Sequence, residues 1–237
     1  MSRFARKHRG FVLAEAVIAG TLLLLVVQVA WWATAAQSLV ATRVVEGARM
    51  LDETRLIHQV LSTEIRHGEA GSDWLVDAGD LNLRAFRGIG FGCRTQPADG
   101  WGVAVTGYRL ADSSKDSVLV LSADGSWRPS ALVRRWRRPG LDCQRMAGFS
   151  VEVWKLDPPP SRPVAALYFE RGAYRLASDA FRYRRGEGGW QPLTGVGIAA
   201  DASVLQPTGE GGLEAHLVWE DPGPMHRSFT WKMWTRR

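Results

Sequence analysis

Residues 10–42 read GFVLAEAVIAGTLLLLVVQVAWWATAAQSLVAT. No side chain in the 27 positions 16–42 is charged. As a helix rising about 1.5 Å per residue, that run reaches roughly 40 Å, more than the ~30 Å hydrocarbon core of a bilayer. Residues 22–27 are apolar on every face. In front stand Arg3, Arg6, Lys7 and Arg9, with no acid among the first ten residues. Basic residues before the span and few behind it predict a cytoplasmic N-terminus and an exported remainder. Three readings compete. One is a plain membrane anchor. Another is a secretory signal, with Ala33-Thr34-Ala35 as the small-x-small cleavage site. The third turns on Glu15. A carboxylate near the start of a spanning segment costs a few kcal/mol unless it has a partner, and neither a signal peptide nor a plain anchor has a use for one.

Gly10-Phe11-Val12-Leu13-Ala14-Glu15 resembles the processing motif of type IV prepilins and type II secretion pseudopilins. The resemblance lies in a short basic leader ending in glycine, then phenylalanine, apolar residues, and a glutamate five places after the cut. It implies that a prepilin peptidase cleaves between Gly10 and Phe11 on the cytoplasmic side and that the new Phe11 amine is N-methylated. It implies further that Glu15 sets assembly register. The physical reason is independent of the family. A cationic amine at Phe11 and the carboxylate of Glu15 lie one helical turn apart in a low dielectric, where opposite charges attract strongly and each is costly to leave unpaired. In a filament, Glu15 of one subunit would meet the Phe11 amine of its neighbour. The bland alternative is a Glu15 solvated at headgroup level.

Residues 43–67, RVVEGARMLDETRLIHQVLSTEIRH, contain no proline, and the first proline of the chain is Pro97. Val44, Ala48 and Leu51 fall at helical spacing, as do Ile57, Leu61 and Ile65. One helix from Phe11 to about His67 is therefore expected, which argues against a signal peptide ending near Ala35; the resemblance to pilins implies that its outer half packs under a sheet. Many major pilins carry a bending proline in the apolar stretch. Its absence here points to a minor pilin or pseudopilin.

The remaining chain reads as a single β-rich domain, so the expected class is α+β, pilin-like: a leader 1–10, a transmembrane segment 11–42, an exported helical continuation 43–67 and a periplasmic antiparallel sheet domain 68–237. Glycine-rich residues 68–100 read as loop with short elements. Strands are predicted at 102–110, 117–123, 150–156, 164–170, 173–178, 195–205, 213–220 and 227–235. Asp124-Gly125 and Arg171-Gly172 are predicted turns, and Pro158-Pro159-Pro160 a stiff link, with a recognition motif as the lesser alternative. Short stretches around Asp116–Val120, Leu167-Tyr168-Phe169 and Gln191–Val196 look like minor pilins of the PilW kind, and less closely like the J-type pseudopilin. That likeness implies other minor and major pilins or pseudopilins as partners, at a filament tip.

Composition narrows the function. The 237 residues carry 30 basic and 24 acidic side chains, and 46% are apolar, which excludes wholesale disorder. Much of the excess basic charge lies in the first ten residues, so it is poor evidence for nucleic-acid binding. Two cysteines exclude an all-cysteine metal site. Cys93 and Cys143 are expected to bridge in an oxidising compartment, two buried thiols being the alternative. His58, His67, His216 and His226 show no ligand spacing, and no metal or cofactor is implied. Arg134-Arg135-Trp136-Arg137-Arg138 could grip phosphates and stack a base; the alternative is a solvated loop or a strand facing an acidic neighbour. Gly88-Ile89-Gly90-Phe91-Gly92 has the wrong spacing for a dinucleotide fingerprint and reads as a flexible loop before Cys93. Ser113 and Ser114, near Asp112 and Asp116, lack a histidine partner and read as a polar turn. The tryptophans read as core and subunit contacts, with sugar stacking the alternative, and Trp31 and Trp32 as interfacial anchors. The chain is read as a structural subunit and not an enzyme. A singly anchored periplasmic binding protein for DNA or a glycan is the runner-up.

Overall fold

The computed structural model describes residues 9–94, 97–138, 141–143, 148–220 and 227–235. Residues 1–8 of the expected leader, and His226, lie outside the described residues. The chain divides into two units, residues 1–52 and 53–237.

A single helix, α1, runs from Arg9 to Arg66. The continuity follows from the sequence: no proline interrupts it, and its three glycines, Gly10, Gly20 and Gly47, are isolated from one another. It ends where Gly68 donates its amide to the Ile65 carbonyl. In the second unit the helix contributes Ile57, Leu61 and Ile65, spaced four apart and all fully buried, with Thr54 beside them. Glu64 ties this turn down, accepting from Arg87 at 2.9 Å and from the Tyr174 hydroxyl at 3.3 Å. His58 is exposed, with its ring 5.5 Å from that of Trp231. The other predicted apolar set is not buried: Val44 and Leu51 are 65% and 41% exposed.

The sheet strands are β1 (Trp74–Asp77), β2 (Asp80–Gly92), β3 (Trp101–Gly107), β4 (Asp116–Ser122), β5 (Trp127–Trp136), β6 (Ser150–Asp157), β7 (Pro163–Ala177), β8 (Ala180–Arg185) and β9 (Gln191–Pro192). Every pairing is antiparallel. β2 pairs β3, β3 pairs β6, β6 pairs β5, β5 pairs β4, β4 pairs β7, and β7 returns to β2. The ladder thus closes into a six-stranded barrel. Its interior holds Trp101, Val103, Val118, Val120, Leu132, Trp154, Leu156, Ala166 and Tyr168. Trp154 meets Trp101 and Tyr168 edge-on, with ring centroids 6.0 and 5.9 Å away. A second sheet is formed by β10 (Val204–Pro207), β11 (Leu213–Trp219) and β12 (Arg227–Met233). β11 alternates strictly, burying Leu213, Ala215, Leu217 and Trp219.

The α+β class and the strands at 102–110, 117–123, 150–156, 213–220 and 227–235 agree with expectation. Five features differ. Residues 68–100 are not mainly loop, because β2 is thirteen residues long. The Gly88–Gly92 run is strand, and its glycines answer to neighbours: Gly88 and Gly107 face each other across β2 and β3, and the Tyr168 hydroxyl fills the space that a Cβ on either would need. Arg171-Gly172 is not a turn. β7 runs straight through it, with the Tyr183 ring lying over Gly172, and the turn comes later at Ser178-Asp179, both with positive φ. Of the predicted strand at 195–205, only Val204 and Leu205 are in a strand. β5 and β8 were not expected from the sequence.

Outside the barrel, Cys93 and Cys143 form a disulfide, their Cα atoms 4.3 Å apart. It packs with Ala104, Leu141, Phe149 and Val151. The bridge closes a loop with a sequence separation of 50. Replacing both cysteines by serine is expected to lower stability by about 4 kcal/mol on chain-entropy grounds, read as a lower urea midpoint. An unchanged midpoint would show that packing alone holds this loop.

Burial lifts the Tyr168 phenol to about 12 and also pushes up Tyr174 and Tyr183, which lie beside Glu64 and Glu170 respectively. These phenols stay protonated in the fold but ionise near pH 10 once unfolded. The unfolded state then binds fewer protons, so stability falls as pH rises past about 10. The thermal midpoint should decline there, and less steeply in Tyr168→Phe. An identical slope in that variant would contradict the assignment.

Candidate functional site

The first unit is a helix whose apolar side chains have no cover. From Val12 to the end of the uncharged run almost every residue is exposed, with Leu24 at 69% and Trp31 at 75%. The segment is long and apolar enough to cross a bilayer, and none of it is buried inside the structure. It is compatible with a single-pass membrane anchor. Water is a poor solvent for such a surface: each exposed Leu or Val forfeits roughly 1.5–3 kcal/mol relative to burial. Gly10 and Phe11 lie in the first turns of α1. Glu15 is exposed on the same helix, one turn after Phe11, among apolar neighbours. Helix and spacing place a carboxylate about one turn after Phe11. Trp31 and Trp32, both exposed, lie beyond the most apolar stretch.

The second unit divides the predicted basic run by a backbone irregularity. Between Leu132 and Arg134 the β5–β6 register shifts, so Val133 is an extra residue. Leu132 faces the barrel interior opposite Leu156, and after the shift Arg135, opposite Trp154, faces it too. A bulge re-aims the side chains that follow it. Arg135 consequently reaches Glu152 at 2.7 Å, and Glu152 is wholly buried and also accepts from Trp154 Nε1 at 3.0 Å. Arg138 pairs with Asp99 at 3.0 Å. Arg134 lies over the Trp136 ring at 5.4 Å and, like Arg137, stays on the surface. The five residues are not one basic patch: Arg135 and Arg138 are neutralised by carboxylates, and Arg134, Trp136 and Arg137 remain outward. Arg134 and Trp136 line a shallow groove of about 390 Å3 with Asp99, Val133 and Lys155.

A second polar network closes round Arg109. Its guanidinium meets both Asp116 oxygens at 2.6 and 2.5 Å and Glu170 at 2.9 Å. Glu170 accepts from the Tyr183 hydroxyl at 2.6 Å, and Tyr168 donates to the Arg109 carbonyl. The Asp116 side chain is fully buried, and its contact raises the Arg109 pKa. Ser114 donates its hydroxyl and amide to Asp112, holding that carboxyl down at about 2. This is the polar turn expected at 112–116, and the wider network seals one part of the barrel. No sequence signal disclosed it, because Arg109 and Glu170 are 61 residues apart. His216 bonds Thr230 at 2.8 Å on β11–β12. Among the described residues, no group of three His, Cys, Asp or Glu could hold a metal ion. Trp101, Trp154 and Trp219 are core residues, whereas Trp127 and Trp234 are about half exposed.

No protein-family model, curated protein or solved structure matches the chain.

The division of the arginines predicts different costs. Arg135→Gln strands a buried carboxylate and should lower stability by about 3 kcal/mol. Arg134→Gln with Arg137→Gln should stay within about 0.5 kcal/mol of the original. Guanidinium unfolding of the two variants checks this, and equal losses would contradict it. The surface pair is also the fair probe of nucleic-acid contact, because it leaves the fold alone: undiminished DNA retention by the Arg134→Gln, Arg137→Gln domain would remove that reading.

Proposed function

We propose that this chain is a minor pilin or pseudopilin, a structural subunit that primes or caps assembly of a type IV pilus or type II secretion pseudopilus. The observation that carries the reading is a continuous, uncovered apolar helix that bears Glu15 one turn beyond a Gly10-Phe11 junction. In this reading a prepilin peptidase and methyltransferase removes the basic leader and methylates Phe11. The helix then holds the chain in the bacterial inner membrane, N-terminus in the cytoplasm and β domain in the periplasm. Burial of the apolar helix against those of other minor and major pilins or pseudopilins drives assembly. The Glu15 carboxylate and the Phe11 amine of a neighbour select the axial register. The Cys93–Cys143 disulfide suits an oxidising periplasm.

A second reading, a singly anchored periplasmic protein that binds DNA or a glycan, draws on the groove beside Arg134, Trp136 and Lys155.

Expression with and without a prepilin peptidase tests the first reading. Mass spectrometry should find a methylated Phe11 N-terminus only when the peptidase is present. A mature chain that keeps Met1 in cells that process other such substrates would overturn it, and an N-terminus at Ala36 would support a secretory signal instead. Glu15→Ala should leave membrane insertion intact and impair filament incorporation. Normal incorporation would refute the register role.

A further inference from the structure

The middle of the uncharged helix carries a group that its own chain leaves without a partner. Gln28 sits one residue from the centre of the run 16–42. The hydroxyls of that run satisfy themselves: Thr21 donates to the Ile18 carbonyl at 2.9 Å, Thr34 to Ala30 at 2.8 Å, Ser38 to Ala35 at 2.8 Å and Thr42 to Ser38 at 2.9 Å. Among the described residues, the Gln28 carboxamide makes no hydrogen bond, and it is exposed. It carries two N–H donors and an acceptor oxygen. In hydrocarbon no water can serve them, and each unsatisfied group is costly. A hydroxyl can fold back on its own helix, but the longer carboxamide reaches outward, towards a neighbouring helix.

The residues flanking Gln28 form a seam. Ile18, Leu25, Trp32 and Leu39 recur every seven residues, and Thr21, Gln28, Ala35 and Thr42 recur three places after each. These are the two core positions of a heptad, sustained over four repeats, one set large and the other small or polar. A period of 3.5 keeps such a seam facing a partner helix in a left-handed crossing. The four large members are 59%, 59%, 69% and 62% exposed.

Depth and chemistry choose the occupant. Every copy of this chain enters the bilayer in the same orientation, so every copy carries Gln28 at the same depth. A carboxamide is complementary to itself, since the N–H of each can donate to the oxygen of the other. We infer that two copies of this chain pair in the membrane through this seam, as a parallel left-handed dimer whose Gln28 carboxamides hydrogen-bond to one another near mid-bilayer. The inference rests on the anchor reading above and goes beyond it. The dimer is a membrane form of the subunit that precedes filament entry and uses Gln28, whereas the filament register uses Glu15.

The test is cysteine cross-linking of the full-length chain in native inner membranes. Cys93 and Cys143 are bridged to each other. Ala35→Cys lies on the seam and should give a disulfide-linked dimer on oxidation. Ala33→Cys lies off it and should not. Adding Gln28→Leu to Ala35→Cys should reduce the dimer about tenfold at matched expression, the order expected for one interhelical amide contact. Gln28→Asn, which keeps the carboxamide, should retain most of it. An undiminished dimer in Gln28→Leu would overturn the inference, as would equal cross-linking at Ala33 and Ala35 or cross-linking only to a different protein. If carbonate washing strips the chain from the membrane, the anchor reading fails and the dimer falls with it. If the chain resists washing and bears a methylated Phe11 but stays monomeric, the dimer alone fails.

Discussion

An uncovered apolar helix in water is the constraint on which the remaining features depend. The side chains from Val12 to Val45 have no protein beside them, and a long run of large residues stands more than half exposed. Nothing in an aqueous phase compensates a surface of that size. A bilayer does, and so does a bundle of similar helices. Both solvents make the few polar groups on the helix expensive, and so informative. Glu15 and Gln28 are two of the groups, with Gln37 nearer the far end of the run, that a purely greasy anchor would omit. Glu15 stands at the start of the apolar run and Gln28 near its middle.

The β domain obeys the opposite rule: its buried carboxylates are paired internally and most of its large apolar side chains are inside. β7 is the organising strand. It pairs β2 along one side, and β4 and then β8 along the other. Tyr168 on this strand fills the barrel where Gly88 and Gly107 make room and seals it by donating to the Arg109 carbonyl. The carboxylates of Asp116, Glu152 and Glu170 all lie at or inside the barrel wall, each met by an arginine. Removing one partner of such a pair costs far more than the pair contributes.

The parts legible in the sequence are those governed by local periodicity. The uncharged run, the absence of proline and the four-residue spacing of Ile57, Leu61 and Ile65 were enough for the helix and its buried face. Short runs rich in β-forming residues were enough for β4 and β11. Elsewhere, local residue type misled because a distant neighbour decided the outcome. Glycines 88, 90 and 92 read as loop, yet they are strand positions cleared for bulky side chains arriving from other strands. Arg171-Gly172 reads as a turn, yet Gly172 only makes space for the Tyr183 ring. β5 hides behind its arginines and Pro129. The Arg135–Glu152 pair depends on a bulge at Val133, and a register shift leaves no local signature. Val44 and Leu51 show the limit of periodicity itself, since a correct helical spacing does not say whether anything covers the face.

Closure of the barrel also bears on what happens when many such chains are brought together. A free strand edge is a template, and it recruits whatever strand drifts past. Six strands joined in a ring offer none, and the sheet margins that remain are short, β1 with four residues and β9 with two. The outermost strand of the small sheet, β12, is longer, but Lys232 stands exposed on it opposite Glu214. A charge there discourages the docking of another strand. The globular part is thus protected against gluing to its own kind through misdirected sheet growth.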